Sequence, residues 1–448
     1  MGLVQGMAIG WSSPALAKLM TGQGPFTPST EEASWIVSLY DLGCGLGVLV
    51  GAAVFSLAGR RVTLLVGPVS FSAWCLLTYF APSPPFLMAA RALAGAGQGM
   101  CMSFSFIYVG EVATPAMRGP LILTVTLLLP VGQLVAYTVG PAVSFWGQAL
   151  APLPGAVLSA LLMLTVMEET PFYLAMRGRH DALESTLARL RGRRAGEDPG
   201  EAVLDEAAAV REAVERQQRD AASWKDTLRP PGAKRAALIV LVESGALAMA
   251  GVTTVLAFTQ QIFERAGTPV RPEVSAASLI AIKVVMVLVS MFLIERLGRR
   301  LQLGLGALTN SLAMTGVGVN AVPQVLMSEL LSQRAKAVVA PVAVVVVSLT
   351  SFGLNKAFLL VGGRYGFHLP FALYALTNMA VSIFTFLVVP ETKGKTLAEV
   401  QDMLRGMAAR KTSWRPADGV VRAKNSLELT YVFGDANKTS LALAREQD

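Results

Sequence analysis

Charged residues are scarce in this chain and fall in a pattern. Arginine pairs stand at Gly59-Arg60-Arg61 and again at Gly298-Arg299-Arg300, each between two long apolar runs. Carboxylates recur behind them: Glu111 and Glu169 after the first pair, Glu329 and Glu391 after the second. Arg118 lies shortly after Glu111, and Arg334 shortly after Glu329. Arginine and carboxylate in such sets form forked, charge-assisted hydrogen bonds, which are strong and geometrically exacting. A second group of polar residues, Asp41, Gln133, Glu243, Lys283 and Lys356, lies within the apolar runs. A charge in hydrocarbon is costly and is usually functional. Gln133 is a neutral hydrogen-bonding group among them.

The elements that position these residues are membrane spans. Of 448 residues, 53% are hydrophobic and only 15% charged, which a soluble globular domain does not match. Apolar runs of ~20 residues recur, each long enough to cross ~30 Å of hydrocarbon. The net charge of +8 sits mostly in loops between spans. That is the positive-inside pattern rather than a nucleic-acid footprint, and it places both arginine-pair turns in the cytoplasm. Expected spans are 1–19, 35–57, 62–80, 85–110, 120–143, 150–167, 236–258, 275–294, 338–362 and 367–389, with two more between 301 and 330. Gly43, Gly47 and Gly51 repeat every fourth residue, a packing face for a neighbouring helix. Glu31 and Glu32 mark an external loop. Lys356 is expected to reach the outer interface and Glu243 the inner one.

This reading divides the chain into an N-terminal bundle of six spans (1–168, the first one clipped), a cytoplasmic helical linker (169–235), a C-terminal bundle (236–390) and a cytoplasmic tail (391–448). In the linker, Glu212/Arg216 and Glu215/Arg219 stand one helical turn apart, as solvated helices require. Met1 is followed at once by apolar sequence with no signal-peptide pattern. Cys44, Cys75 and Cys101 lie in apolar runs without disulfide or metal-ligand spacing. His180 and His368 fall on opposite sides of the membrane, and no nucleophile–base set appears. Neither enzyme chemistry, a cofactor nor a metal is expected.

The halves differ in one interval. Gly59 to Glu111 is 52 residues, whereas Gly298 to Glu329 is 31, so the second half is 21 residues short across spans nine and ten. A shortened hairpin turning near Gly316-Val317-Gly318 resolves the topology, and an exon-scale deletion or faulty gene model explains it.

The motifs Gly10-Trp11-Ser12-Ser13-Pro14-Ala15-Leu16, Gly59-Arg60-Arg61, Tyr108-Val109-Gly110-Glu111, Glu169-Thr170-Pro171, Gly298-Arg299-Arg300, Ser328-Glu329 and Pro390-Glu391-Thr392-Lys393-Gly394 occur in this order. Arg91 with Gly95, Gly97 and Gly99 joins them. Together they resemble the sugar porter family of the major facilitator superfamily, which includes facilitative glucose transporters and insect trehalose transporter-like proteins. The resemblance implies an all-α multi-pass fold with two six-helix bundles around a central sugar site. It implies a cytoplasmic gate of Arg60, Arg61, Glu111, Arg118, Glu169, Arg299, Arg300, Glu329 and Arg334, paired in one state and separated in the other. It places substrate contacts at Gln133, Thr253, Thr254, Lys283, Gln324 and Asn355.

The sequence departs from the family at that site. The paired glutamines of span seven fall on Leu247 and Ala248, the asparagine of span eight on Lys283, and the tryptophan of span ten on Gln324. The acidic–basic pair before the first Gly-Arg-Arg falls on Phe55-Ser56. An Asp41–Lys283 ion pair is one way to accommodate the buried lysine. The expected function is facilitative transport of a hexose or trehalose-like disaccharide by alternating access, without proton coupling, in the plasma membrane. Its partners are the sugar and the bilayer, with no nucleic acid and no required oligomer. The alternative is a transport-impaired paralogue or truncated isoform acting as a sensor or interaction protein.

Overall fold

Glycines, prolines and capping side chains set most of the turns between the helices. The computed structural model describes residues 1–192, 200–219, 231–267, 269–297, 301, 303–308, 330 and 333–390. All of them belong to one compact unit, Met1–Arg405, and no strand occurs among them.

Helices α1 (Gly2–Gly10) and α2 (Ser12–Met20) form one span with a fault at Trp11. Pro14 lacks the N–H that would return to the Gly10 carbonyl. Helix α3 (Thr30–Leu57) opens with a capping box: the Glu32 N–H donates to the Ser29 hydroxyl at 3.2 Å, and the Ser29 N–H to the Glu32 carboxylate at 2.8 Å. Glu31 and Glu32 therefore belong to the first turn of a helix rather than to the expected loop. Gly59, with φ of 97°, reverses the chain into α4 (Arg60–Tyr79). Prolines start α5 (Pro84–Val112) and α6 (Pro115–Ala142), where a missing N–H costs nothing. The sixth span is α7 (Phe145–Leu150) with α8 (Leu153–Thr165). It starts before residue 150 because the Ser144 hydroxyl caps it, accepting from the Gly147 N–H at 3.1 Å.

Three short helices follow: α9 (Pro171–Met176), α10 (His180–Leu190) and α11 (Glu201–Arg219). They share a small core of Leu174, Leu183, Leu187, Val203 and Ala207. Surface pairs such as Arg211–Glu184, at 3.0 Å, and Glu212–Arg216 dress it.

The seventh span is broken into α12 (Pro231–Met249), α13 (Val252–Ala257) and α14 (Thr259–Ala266). Gly251 makes the break with φ of 76°, and the Tyr374 ring occupies the space a Cβ would need. Periodicity alone predicts one continuous helix there. Helices α15 (Pro272–Leu297), α16 (Gln333–Tyr365) and α17 (His368–Val388) complete the described spans. Residues 303–308 begin a further helical stretch, whose Gly304 carbonyl accepts from the Ser382 hydroxyl of α17 at 2.8 Å. The shortened hairpin expected across 301–330 and the tail from 391 otherwise lie outside the described residues.

Eight of the described helical stretches are long and apolar enough to cross a membrane, and the two faulted spans lie against them. Large apolar side chains such as Leu46, Leu49, Leu158, Leu161, Leu373 and Leu376 are more than half exposed. An outward-facing apolar surface of this kind needs lipid against it.

Helices α3 and α5 pack backbone to backbone. A Cβ at Gly43 or Gly47 would lie 2.1 or 2.2 Å from the Ala92 or Ala96 carbonyl oxygen. One at Gly95 or Gly99 would lie 1.9 or 2.1 Å from the Tyr40 or Cys44 carbonyl oxygen. The fourfold glycine repeat thus does what its spacing predicts, letting the two backbones touch. Between the first group of spans (α1–α8) and the second (α12–α17), the main contacts are α3 with α16 and α6 with α15.

Candidate functional site

Polar side chains meet at three levels. The first lies at the ends of α4, α5 and α8. The Arg60 guanidinium, buried at 5% exposure, donates from Nε and Nη2 to the two oxygens of Glu111, both at 3.0 Å. The Thr170 hydroxyl donates to the same carboxylate at 2.6 Å. Phe55 lies beneath the guanidinium, 4.4 Å from ring centroid to Cζ. An aromatic face thus takes the place of an acidic neighbour.

Glu169 acts differently from the other carboxylate. It accepts from the backbone N–H of Arg60 at 2.9 Å and of Arg61 at 3.3 Å, so it is an anionic cap on α4. The Arg61 side chain turns away to the Leu164 carbonyl at the end of α8. The structure therefore brings Arg60, Glu111 and Glu169 together and sends the Arg61 guanidinium elsewhere. Every partner named here comes from the first half or from the segment just after it. Arg299, Arg300 and Glu329 lie outside the described residues, as do the side chains of Arg118 and Arg334.

The second level is at mid-span. Counting ~1.5 Å per residue, Asp41 lies ~17 Å along α3 from Thr30, and Lys283 ~17 Å along α15 from Pro272. Asn355 lies ~15 Å from Tyr365, and Gln133 ~14 Å from Ala142. The four residues share one depth and form two cross-half pairs. Lys283 Nζ donates to Gln133 Oε1 at 2.8 Å, joining α15 to α6. Asn355 Nδ2 donates to Asp41 Oδ2 at 2.5 Å, joining α16 to α3. The Asp41–Lys283 ion pair is thus not formed, because helical depth was matched but direction around each helix was not. Thr253 and Ser351 hydroxyls approach to 3.5 Å, and Thr254 is fully buried beside Tyr374. Gln324 lies outside the described residues.

Arg91 underpins this level from α5. At 1% exposure, it donates to the Ala8 carbonyl at 3.0 Å and to the Ser12 hydroxyl at 2.7 Å. The rings of Tyr40, Trp11 and Trp74 lie around its Cζ at 4.4, 5.2 and 5.9 Å. Glu243 is another buried ionisable group, 2% exposed, and accepts from the Thr385 hydroxyl of α17 at 2.9 Å. This corrects the expectation that Glu243 reaches the interface: a hydroxyl on the neighbouring helix holds it in the interior.

The third level is nearer the Glu31 end. The Gln260 N–H donates to the Ser13 hydroxyl at 3.0 Å, and Gln261 Nε2 to the Ser13 carbonyl at 3.2 Å. The Tyr137 hydroxyl donates to the Leu256 carbonyl. Lys356 lies 3.1 Å from the Ser34 hydroxyl, 3.7 Å from Glu31 and 4.1 Å from the Trp35 ring centroid. Apolar packing reinforces these ties, with Leu16, Ala33 and Val37 against Phe258, Phe358 and Leu359. Sequence reasoning named none of Ser13, Tyr137, Gln260 or Gln261 as contacts, although buried amides and hydroxyls beside a glycine break signal such a place. A cleft of about 900 Å3 runs between α6 and α15 from Arg271 and Glu273 to Leu134 and Ala281, neighbours of Gln133 and Lys283.

Two helical halves of apolar, membrane-length helices that meet through polar pairs at mid-depth define a multi-pass membrane protein. A family model described as Sugar (and other) transporter matches residues 6–321 and 312–404, and the chain belongs to that family. It is 27% identical to human solute carrier family 2, facilitated glucose transporter member 6, over 89% of this chain and 88% of that one. It is 26% identical to the facilitated trehalose transporter Tret1 of Polypedilum vanderplanki, over 92% and 87% of the two chains. Among solved structures, the proton:xylose symporter XylE bound to 6-bromo-6-deoxy-D-glucose superposes with a TM-score of 0.69. That match has 17% identity and covers 90% of this chain and 97% of that one. The inward open conformation of the xylose transporter XylE from E. coli gives a TM-score of 0.70 at 18% identity, covering 90% and 98%. The fold is thereby that of the major facilitator sugar porters.

Proposed function

We propose that this protein carries a sugar of hexose or trehalose-like disaccharide size across the membrane by facilitative alternating access. The observation that carries the reading is the pair of mid-span contacts, Lys283–Gln133 and Asn355–Asp41, each joining the two halves through groups a sugar hydroxyl can replace. Membership of the sugar transporter family supports it.

In this reading residues 1–168 and 236–390 are the moving bundles. Residues 169–235 and 391–448 are cytoplasmic, and the plasma membrane is the site of action. The ties at Ser13, Tyr137 and Lys356, with the apolar packing beside them, seal the outer mouth in the present state. Gln133, Thr253, Thr254, Lys283, Gln324 and Asn355 supply substrate contacts. The cytoplasmic gate comprises Arg60, Arg61, Glu111, Arg118 and Glu169 with Arg299, Arg300, Glu329 and Arg334 from the other half. Opening the outer mouth requires the two halves to separate along α2–α14 and α3–α16, while the inner ends close. The surface pair Lys356–Glu31, with Glu31 at 70% side-chain exposure, contributes at most ~1 kcal/mol and so does not lock that mouth.

Uptake of labelled glucose, xylose, trehalose and glucuronate into transporter-deficient cells tests this. Saturable uptake above vector controls is expected. Verified surface protein with no flux of any sugar, neutral or charged, would refute it.

A further inference from the structure

Lys283 differs from Arg91, Lys18 and Lys356, other cations of the described spans, by what surrounds it. Arg91 lies in the field of Asp41 and is wrapped by three rings, a carbonyl and a hydroxyl. Lys18 is held by the carbonyls of Gly140 and Val143 at the end of α6. Lys356 has Glu31 and the face of Trp35. Lys283 has the neutral oxygen of Gln133 at 2.8 Å, and among the described residues it forms no salt bridge. Asp41, at the same depth, is engaged by Asn355 of α16 rather than by Lys283.

We infer that Lys283 is an anion-selecting group of the transport site, and that the substrate is a sugar bearing one carboxylate, a uronate or aldonate, rather than a neutral hexose. The inference rests on the proposed transport function. A lone ammonium at mid-depth, where water is sparse, attracts a carboxylate far more strongly than a hydroxyl. The Lys283 charge, unmatched by a salt bridge among the described residues, balances one negative charge. A sugar phosphate, close to dianionic at neutral pH, would leave an excess charge in the cavity. Gln133, already aligned on Lys283 at 2.8 Å, is placed to take a neighbouring sugar hydroxyl once the carboxylate displaces its oxygen from the ammonium. Lys283 thus acts as a specificity determinant, and the Lys283–Gln133 bond is the ligand-free resting contact.

The test uses the full chain in proteoliposomes, with labelled D-glucuronate, D-glucose and glucose 6-phosphate as alternative substrates. Glucuronate uptake should exceed glucose uptake at least tenfold, with glucose 6-phosphate near background. In Lys283→Gln the glucuronate-to-glucose ratio should fall to about one or below, whereas Lys283→Arg should keep glucuronate preferred. Glucose carried as well as or better than glucuronate by the unaltered protein overturns the inference and leaves the transport function standing. A Lys283→Gln variant that slows both sugars by the same factor shows a structural tie only, and also overturns it. Intact reconstituted protein that moves none of the three in these vesicles, nor xylose or trehalose, refutes the transport reading itself.

Discussion

Arg60 shows how one side chain can hold several segments. Its forked bonds to Glu111 join α4 to α5, while its backbone N–H and that of Arg61 receive Glu169 from the segment after α8. Replacing it with lysine keeps the charge but loses the fork, since an ammonium is a point charge on a flexible stem. Arg60→Lys should cost about 1.5–3 kcal/mol, the scale of one hydrogen bond to a charged group. Glu169→Gln keeps the oxygen that accepts from the Arg60 N–H, gives up the weaker 3.3 Å contact to Arg61 and removes the charge at the α4 N-terminus, an effect of about 0.3–1 kcal/mol. Thermal melts of the purified protein should rank the two in that order, and the reverse ranking would show that the cap outweighs the fork. The arginine and glutamate motifs were legible as a cluster because they flank spans. Which carboxylate pairs with a guanidinium and which caps a helix was not, because both are written with the same residue.

At the scale of elements, the α3–α5 contact depends on residues that have no side chain. Gly95→Ala would place a Cβ 1.9 Å from the Tyr40 carbonyl oxygen, so the backbones must part. Overpacking of this kind costs about 1–3 kcal/mol. Gly353→Ala on α16, where nothing lies within 4 Å of the added carbon, should be neutral or slightly stabilising. Size-exclusion profiles and melting temperatures of the two variants should diverge; a Gly95→Ala protein as stable as the parent would mean that α3 and α5 are not in backbone contact. The spans themselves were readable from apolar length, and the glycine face from its spacing. The break of span seven at Gly251 was not, since an apolar run reads alike whether its helix is continuous or interrupted. The start of span six was likewise missed, because the cap from Ser144 is a single hydroxyl. Depth along a helix follows from counting, which placed Asp41 and Lys283 correctly at one level. Direction around the helix depends on packing, which is why their partners proved to be Asn355 and Gln133.

For the whole molecule, the halves must part at the Ser13–Gln260 contact for a substrate to enter from the outer side. The three native cysteines are free, and Cys75 and Cys101 are buried, so a cysteine-free background built with alanine or serine permits a clean cross-link. In that background, Ser13→Cys with Gln260→Cys puts two thiols on segments already in contact, since the Ser13 hydroxyl accepts from the Gln260 backbone N–H at 3.0 Å. Sugar uptake by this pair, measured before oxidation, after oxidation and after reduction, tests alternating access directly. The account predicts flux that is lost on cross-linking and restored by reductant, with each single-cysteine variant unaffected by oxidant. Undiminished flux through protein whose halves are verifiably cross-linked would contradict it.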